Sequence, residues 1–102
     1  MALDFIIENN KTYEREYLPL GTETHWEIYT IAKENKFPLI SRISDYYSDY
    51  IFKVEELEDF LAEIEGILKY VEKDYQVDFL QELKKLILSA EEQKQNVIVR
   101  AD

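Results

Sequence analysis

Cysteine is absent from this chain, and histidine occurs once, at His25. Without cysteine there are no disulfides, no thiol nucleophile and no thiolate-ligated zinc. With a single imidazole, a zinc site would have to be built almost wholly from carboxylates, which suits zinc badly. The Glu-x-x-His pairs of di-iron bundles have no counterpart either. Glycine and proline are scarce, with two of each. Gly21 and Gly66 cannot make a glycine-rich phosphate loop. A calcium loop wants alternating acidic ligands around a glycine, whereas the acidic run at 55–65 reads as helix. Ser41, Ser44, Ser48 and Ser89 lack the strand-turn-helix setting that exposes a nucleophile. A Ser-His-Asp triad would have to recruit His25, and a lone histidine beside Trp26 is more commonly helix surface or rim packing. The expectation is a protein that is not an enzyme, with no catalytic residues, no metal and no cofactor.

Long apolar runs are missing too. None approaches the roughly 18 residues that a membrane-spanning helix requires. The opening "MALDFIIENN" has no basic leader ahead of its short apolar run, so it does not read as a secretory signal, and a cytoplasmic location is expected.

Positive charge is in short supply: 12 Lys and Arg stand against 22 Asp and Glu, a formal net charge of −10 in 102 residues. A field of that sign repels nucleic acid and anionic membrane and draws in cationic surfaces. The blander consequence of the same charge is solubility alone.

What is present fits one domain over residues 1–102, since 46% of the residues are hydrophobic and the length leaves no room for two cores. In "ALDFIIE", Leu3, Phe5 and Ile7 alternate with Asp4 and Glu8, a strand spoiled only by Ile6. "NNK" supplies turn residues, and "TYEREYL" at 12–18 alternates again as a more exposed strand. Pro19 and Gly21 break the chain before a helix through "ETHWEIYTIAKEN", with Trp26, Ile28, Tyr29 and Ile31 at helical spacing and Asn35 at its stop. Pro38 forces Phe37 out of the helical region. Leu39, Ile40, Ile43 and Tyr47 then recur three or four apart, which predicts a short helix over 39–48.

The clearest segment is "KVEELEDFLAEIEGILKYVEKD". Val54, Leu57, Leu61, Ile64, Leu68 and Val71 form one apolar stripe, widened by Phe60 and Ile67, while Glu55, Glu56, Glu58, Asp59, Glu63 and Glu65 face outward. Gly66 costs such a helix up to about 1 kcal/mol relative to alanine, which a close approach by another element would justify. Asp74 is placed to cap a further helix, "YQVDFLQELKKLILSAEEQKQ", ended by Asn96. "NVIVRA" reads as a strand whose natural neighbour is the apolar strand near residue 5. The predicted fold is α+β: a small two- or three-stranded sheet, made of the N-terminal hairpin and the C-terminal strand, packed against three to four helices.

Eight tyrosines are many for this length, and several belong at the edge of a small core. "SRISDYYSDYIF" is different, because Asp45 and Asp49 alternate with Tyr46, Tyr47 and Tyr50. On a short helix Tyr46 and Tyr50 would share one face while Tyr47 points elsewhere, and Asp45 and Asp49 would lie one turn apart. Tyrosine gives large rigid contact area with a hydrogen-bonding tip, and aspartate offers a bidentate acceptor for arginine. The expected partner-binding set is therefore Asp45, Tyr46, Tyr47, Asp49 and Tyr50 beside Glu55, Glu56 and Asp59.

In size, lack of cysteine, charge, and the "SDYYSDY" patch next to "EELEDFLAEIE", the chain resembles the small acidic immunity proteins that bacteria encode beside polymorphic toxins, including those of contact-dependent growth inhibition. It is also similar to bacterial proteins that combine an "MALDF" start, a "FPLISRISDYYSDYIF" centre and a "VRAD" end, a likeness that covers most of the chain and brings no chemistry with it. The first resemblance implies an acidic antitoxin that binds a cognate basic toxin domain one to one in the cytoplasm, a nuclease being the obvious target because its active site must hold phosphates. Two other readings stand beside it. One is a self-associating structural or regulatory protein, a homodimer through the 54–71 stripe; the other is a small enzyme built on His25 and a nearby carboxylate.

Overall fold

Alternation along the first strand decides which way the sheet faces. In β1 (Leu3–Ile7) the side chains of Leu3, Phe5 and Ile7 are buried, while Asp4 and Ile6 lie on the opposite face and are half-buried. The computed structural model describes residues 3–8 and 17–101. β1 pairs antiparallel with β2 (Tyr17–Leu20) on one side and with β4 (Val97–Ala101) on the other. β3 (Tyr50–Phe52) adds to β4, so the order is β2-β1-β4-β3 and every neighbour is antiparallel. The chain ends therefore lie side by side through Phe5↔Val99, as their apolar composition leads one to expect.

Among the described residues four helices complete the α+β fold: α1 (Thr22–Glu34), α2 (Pro38–Ser41), α3 (Val54–Ile67) and α4 (Asp74–Gln93). They bury His25, Ile28 and Ala32 from α1, Leu57, Phe60, Ile64 and Ile67 from α3, and Leu80, Leu83, Leu86, Ile87 and Ala90 from α4. The apolar members of these sets join Leu3, Phe5, Ile7, Phe52, Val97 and Val99 in one core on one face of the sheet. Phe52 and Phe60 meet at 4.5 Å between ring centres, and Phe5 meets Phe79 edge-on at 5.9 Å.

Several boundaries differ from the sequence reading for identifiable reasons. The expected second strand began at residue 12; residues 12–16 lie outside the described ones, and the observed strand continues through Pro19 to Leu20. Proline is tolerated there because β2 is an edge strand whose outer N–H has no ladder partner to lose. The helix expected over 39–48 stops at Ser41, and the sheet gains a fourth strand at 50–52. α3 ends at Ile67, where the amides of Lys69 and Tyr70 turn back to Gly66 and Ile67 at 3.3 and 2.8 Å. Val71 then enters the core from outside the helix. Asp74 is the first helical residue of α4 rather than its cap; the cap is Lys73, whose N–H is taken by the Gln76 side chain at 3.2 Å. α4 ends with Lys94 in the left-handed region.

Gly66 permits the close approach its position implied. A Cβ there would stand 2.7 Å from Cε1 of Phe37, so the bare Cα is what lets that ring lie against α3. Asn96 ties three elements together: its Nδ2 donates to Glu8 at 2.7 Å, and its Oδ1 accepts from the first amide of α3, Val54, at 3.0 Å.

Candidate functional site: an acidic and aromatic surface

Asp45 builds the turn that replaces the expected helix. One carboxylate oxygen accepts the Tyr47 N–H at 2.9 Å and the other the Ser48 hydroxyl at 2.8 Å. Such local bonding gives the backbone an alternative to helix. These two donors, the Tyr47 amide first, hold the Asp45 carboxyl below its ordinary pKa, so the exposed group stays ionised.

The turn sorts the three tyrosines by role. Tyr46 is only 8% exposed, and its hydroxyl donates to the Leu20 carbonyl at 3.0 Å. Tyr50 lies half-buried in β3, with its hydroxyl accepting the Asp45 N–H at 2.8 Å and lying 3.1 Å from the Asp45 carbonyl. Tyr47 alone stands out in solvent, 66% exposed. Within the expected partner-binding set, Tyr46 is buried and Tyr50 packs half-buried against the core, and the hydroxyls of both bond to backbone groups. Asp49 is exposed, and one of its oxygens accepts the Ala101 N–H at 2.8 Å.

The acids of α3 divide in the same way. Glu56 pairs with Arg42 at 2.5 Å, and its other oxygen takes the Lys53 amide at 3.3 Å; the arginine, more than the amide, keeps its carboxyl below the ordinary value. Glu63, expected to face outward, instead accepts the Leu39 and Ile40 amides at 2.9 and 3.0 Å and so caps α2. Glu65 pairs with Lys84 at 2.9 Å. Among the described residues the ion pairs engage Glu27, Glu56, Glu65 and Glu82. Glu55, Glu58 and Asp59 are exposed at the start of α3 and take part in none of them.

Of the two settings expected for His25, helix surface and rim packing, the structure excludes the first. The residue is 6% exposed, and its Nε2 lies 2.7 Å from the Ile43 carbonyl, so that nitrogen carries the proton. Its ring sits between Tyr29 at 6.1 Å and Tyr46 at 5.3 Å. With Trp26–Tyr29 at 6.2 Å and Tyr46–Tyr47 at 5.6 Å, five rings form a file whose middle is buried and whose ends, Trp26 and Tyr47, are exposed. Trp26, one of the residues at helical spacing in the sequence, is 64% exposed. The signal was there: the buried stripe is His25, Ile28, Ala32, and a neighbour one residue on lies about 100° around the helix.

An apolar pocket of about 20 Å³ beside His25, Phe5 and Leu83 is too small for anything beyond a water-sized guest. A wider groove of about 320 Å³ lies between Tyr17 and Leu18 of β2 and Leu86 and Ser89 of α4, with Glu82 and Lys85 on its wall. Those two charges face each other at 3.1 Å. Among the described residues no three His, Asp or Glu side chains converge as metal ligands, and no helix is long and apolar enough to cross a membrane. The apolar stripe of α3 packs into the core, with Leu57 and Ile64 buried and Leu61 half-buried against them. Compared with protein-family models, with curated proteins and with solved structures, the chain matches none.

Proposed function

We propose that this chain is a non-catalytic acidic binding protein that neutralises a cationic toxin domain, a nuclease being the best-fitting kind, by tight protein–protein association. The observation that carries the reading is the group of exposed carboxylates at the start of α3, Glu55, Glu58 and Asp59, which take part in no ion pair among the described residues. A surface that keeps unpaired negative charge in water attracts a lysine- and arginine-rich partner and speeds its docking. Asp45 and Tyr47 extend the same offer on the preceding turn, one as a fixed anion and the other as an exposed ring. Trp26 gives a second exposed ring of the type that anchors interfaces.

The test uses the basic domain encoded by the adjacent reading frame. The double variant Glu55→Lys/Asp59→Lys is expected to bind it at least about tenfold more weakly than the natural chain, equivalent to about 1.4 kcal/mol. Equal affinities would remove α3 from the proposal.

A further inference from the structure

We propose that His25 is a proton-operated latch beneath the turn that presents Tyr47. On taking up a second ring proton, it draws the Asp45 carboxylate away from the Tyr47 amide and loosens that turn. The device is internal to the fold, and its test needs no partner.

The parts are already joined. His25 is the chain's one histidine and, among the described residues, the one buried side chain of a type that changes charge near neutral pH. Its Nε2 donates to the Ile43 carbonyl at 2.7 Å, so a second proton enters at Nδ1 and makes that nitrogen a donor as well. Ile43 is buried two residues ahead of Asp45. Tyr46 stands against the same imidazole at 5.3 Å, and Tyr47 meets Tyr46 edge-on at 5.6 Å. His25 therefore holds the chain on both sides of Asp45.

The surroundings decide where a new charge is answered. Tyr29 lies against the imidazole from its own helix, and Tyr46 and Asp45 belong to the turn. The other elements bring apolar side chains to the pocket beside the ring: Phe5 of β1, Leu20 of β2, Ile40 of α2, Phe60 of α3 and Leu83 of α4. A cation in such a setting is costly unless an anion meets it, and Asp45 is the one carboxylate among these groups. The Tyr47 amide, the Ser48 hydroxyl and, more weakly, the His25 charge all favour its ionised form. Its oxygens are also what builds the turn, through the Tyr47 N–H at 2.9 Å and the Ser48 hydroxyl at 2.8 Å. An oxygen that turns to the imidazolium weakens its hold on one of those donors. Tyr47 is exposed, so water takes over its N–H at little cost.

Magnetic resonance on the full chain, from about pH 8 to pH 5, reads the latch directly. The Tyr47 amide resonance should move with the same midpoint as the His25 ring. Once His25 is charged, that amide should exchange with solvent about threefold or more faster, relative to its unstructured rate at the same pH. His25→Gln, whose side-chain amide can still donate to Ile43, should leave the Tyr47 amide unmoved over this range. Asp45→Asn keeps an acceptor for Tyr47 but removes the anion, so titration of His25 should no longer reach the Tyr47 amide. If a variant fails to fold, the two curves of the natural chain decide. The proposal is overturned if the His25 ring titrates while the Tyr47 amide keeps its protection, or if the ring takes no proton before the chain unfolds. A Tyr47 response that persists in His25→Gln overturns it as well. The toxin reading stands or falls separately, on the salt dependence of binding.

Discussion

The hydroxyl of Tyr46 donates to the Leu20 carbonyl at 3.0 Å, fastening the turn before β3 to the end of β2. Next to it in sequence, Tyr47 makes the opposite choice and stands in solvent. Tyr46→Phe leaves the Leu20 carbonyl without that donor and should cost about 1 kcal/mol of stability, up to about 3 if water cannot reach it. Tyr47→Ala should change stability by less than about 0.5 kcal/mol but weaken partner binding by about tenfold or more. Urea denaturation and a binding titration on both variants separate the two roles.

Gly66→Ala sets helix propensity against space. Alanine favours the helix by up to about 1 kcal/mol, but its Cβ would sit 2.7 Å from the Phe37 ring, which also packs edge-on against Tyr70 at 6.1 Å. Overpacking of that kind costs about 1–3 kcal/mol, so the net effect should be a loss, read as a lower denaturation midpoint. Combining it with Phe37→Leu, which withdraws the ring, should be less damaging than the sum of the two single changes.

Glu63→Gln tests the cap on α2. The carboxylate serves the Leu39 and Ile40 amides together. A neutral amide keeps one acceptor oxygen and loses the charge, so a loss of about 1 kcal/mol is expected from denaturant unfolding. Glu55→Gln, an exposed neighbour on the same helix, should fall within about 0.5 kcal/mol of the natural chain.

The Arg42–Glu56 pair gives a pH dependence with a definite sign. Its folded pKa is lowered, chiefly by Arg42, so its contribution is present above the unfolded carboxylate value, near 4.3 as a rough reference, and is lost as pH falls through the lower folded value. The stability difference between the natural chain and Glu56→Gln should therefore be full at neutral pH and shrink in acid. It should stay below about 1 kcal/mol throughout, because both side chains reach solvent. Unfolding measured from neutral pH down to the acid range checks this.

Elements with strong internal periodicity were legible in the sequence. β1 and β4 show apolar alternation, and their pairing follows from two apolar strands needing each other. The stripe of α3 predicts its buried residues, and Gly66 inside it marks a close contact. β3 was not legible, because three residues, "YIF", carry no period and depend on β4 for their hydrogen bonds. The surface was harder still. Asp45 and Tyr46 read as part of a short helix over 39–48, yet Asp45 makes a turn and the Tyr46 ring lies 5.3 Å from that of His25. Glu56 and Glu63 look like any other acids of α3; distant residues, Arg42 and the amides of α2, withdraw them from the free charge. Trp26 looked apolar by type and sits outside by angle.

If the exposed carboxylates at the start of α3 draw in a cationic protein, as proposed, salt must weaken the contact. The most direct measurement is titration of this chain with the basic domain encoded by the adjacent reading frame, repeated as salt is raised. The expected result is a one-to-one complex whose affinity falls steadily with salt, and falls less steeply once Glu55 and Asp59 are neutralised. No complex at low salt, or an affinity indifferent to salt, would contradict it.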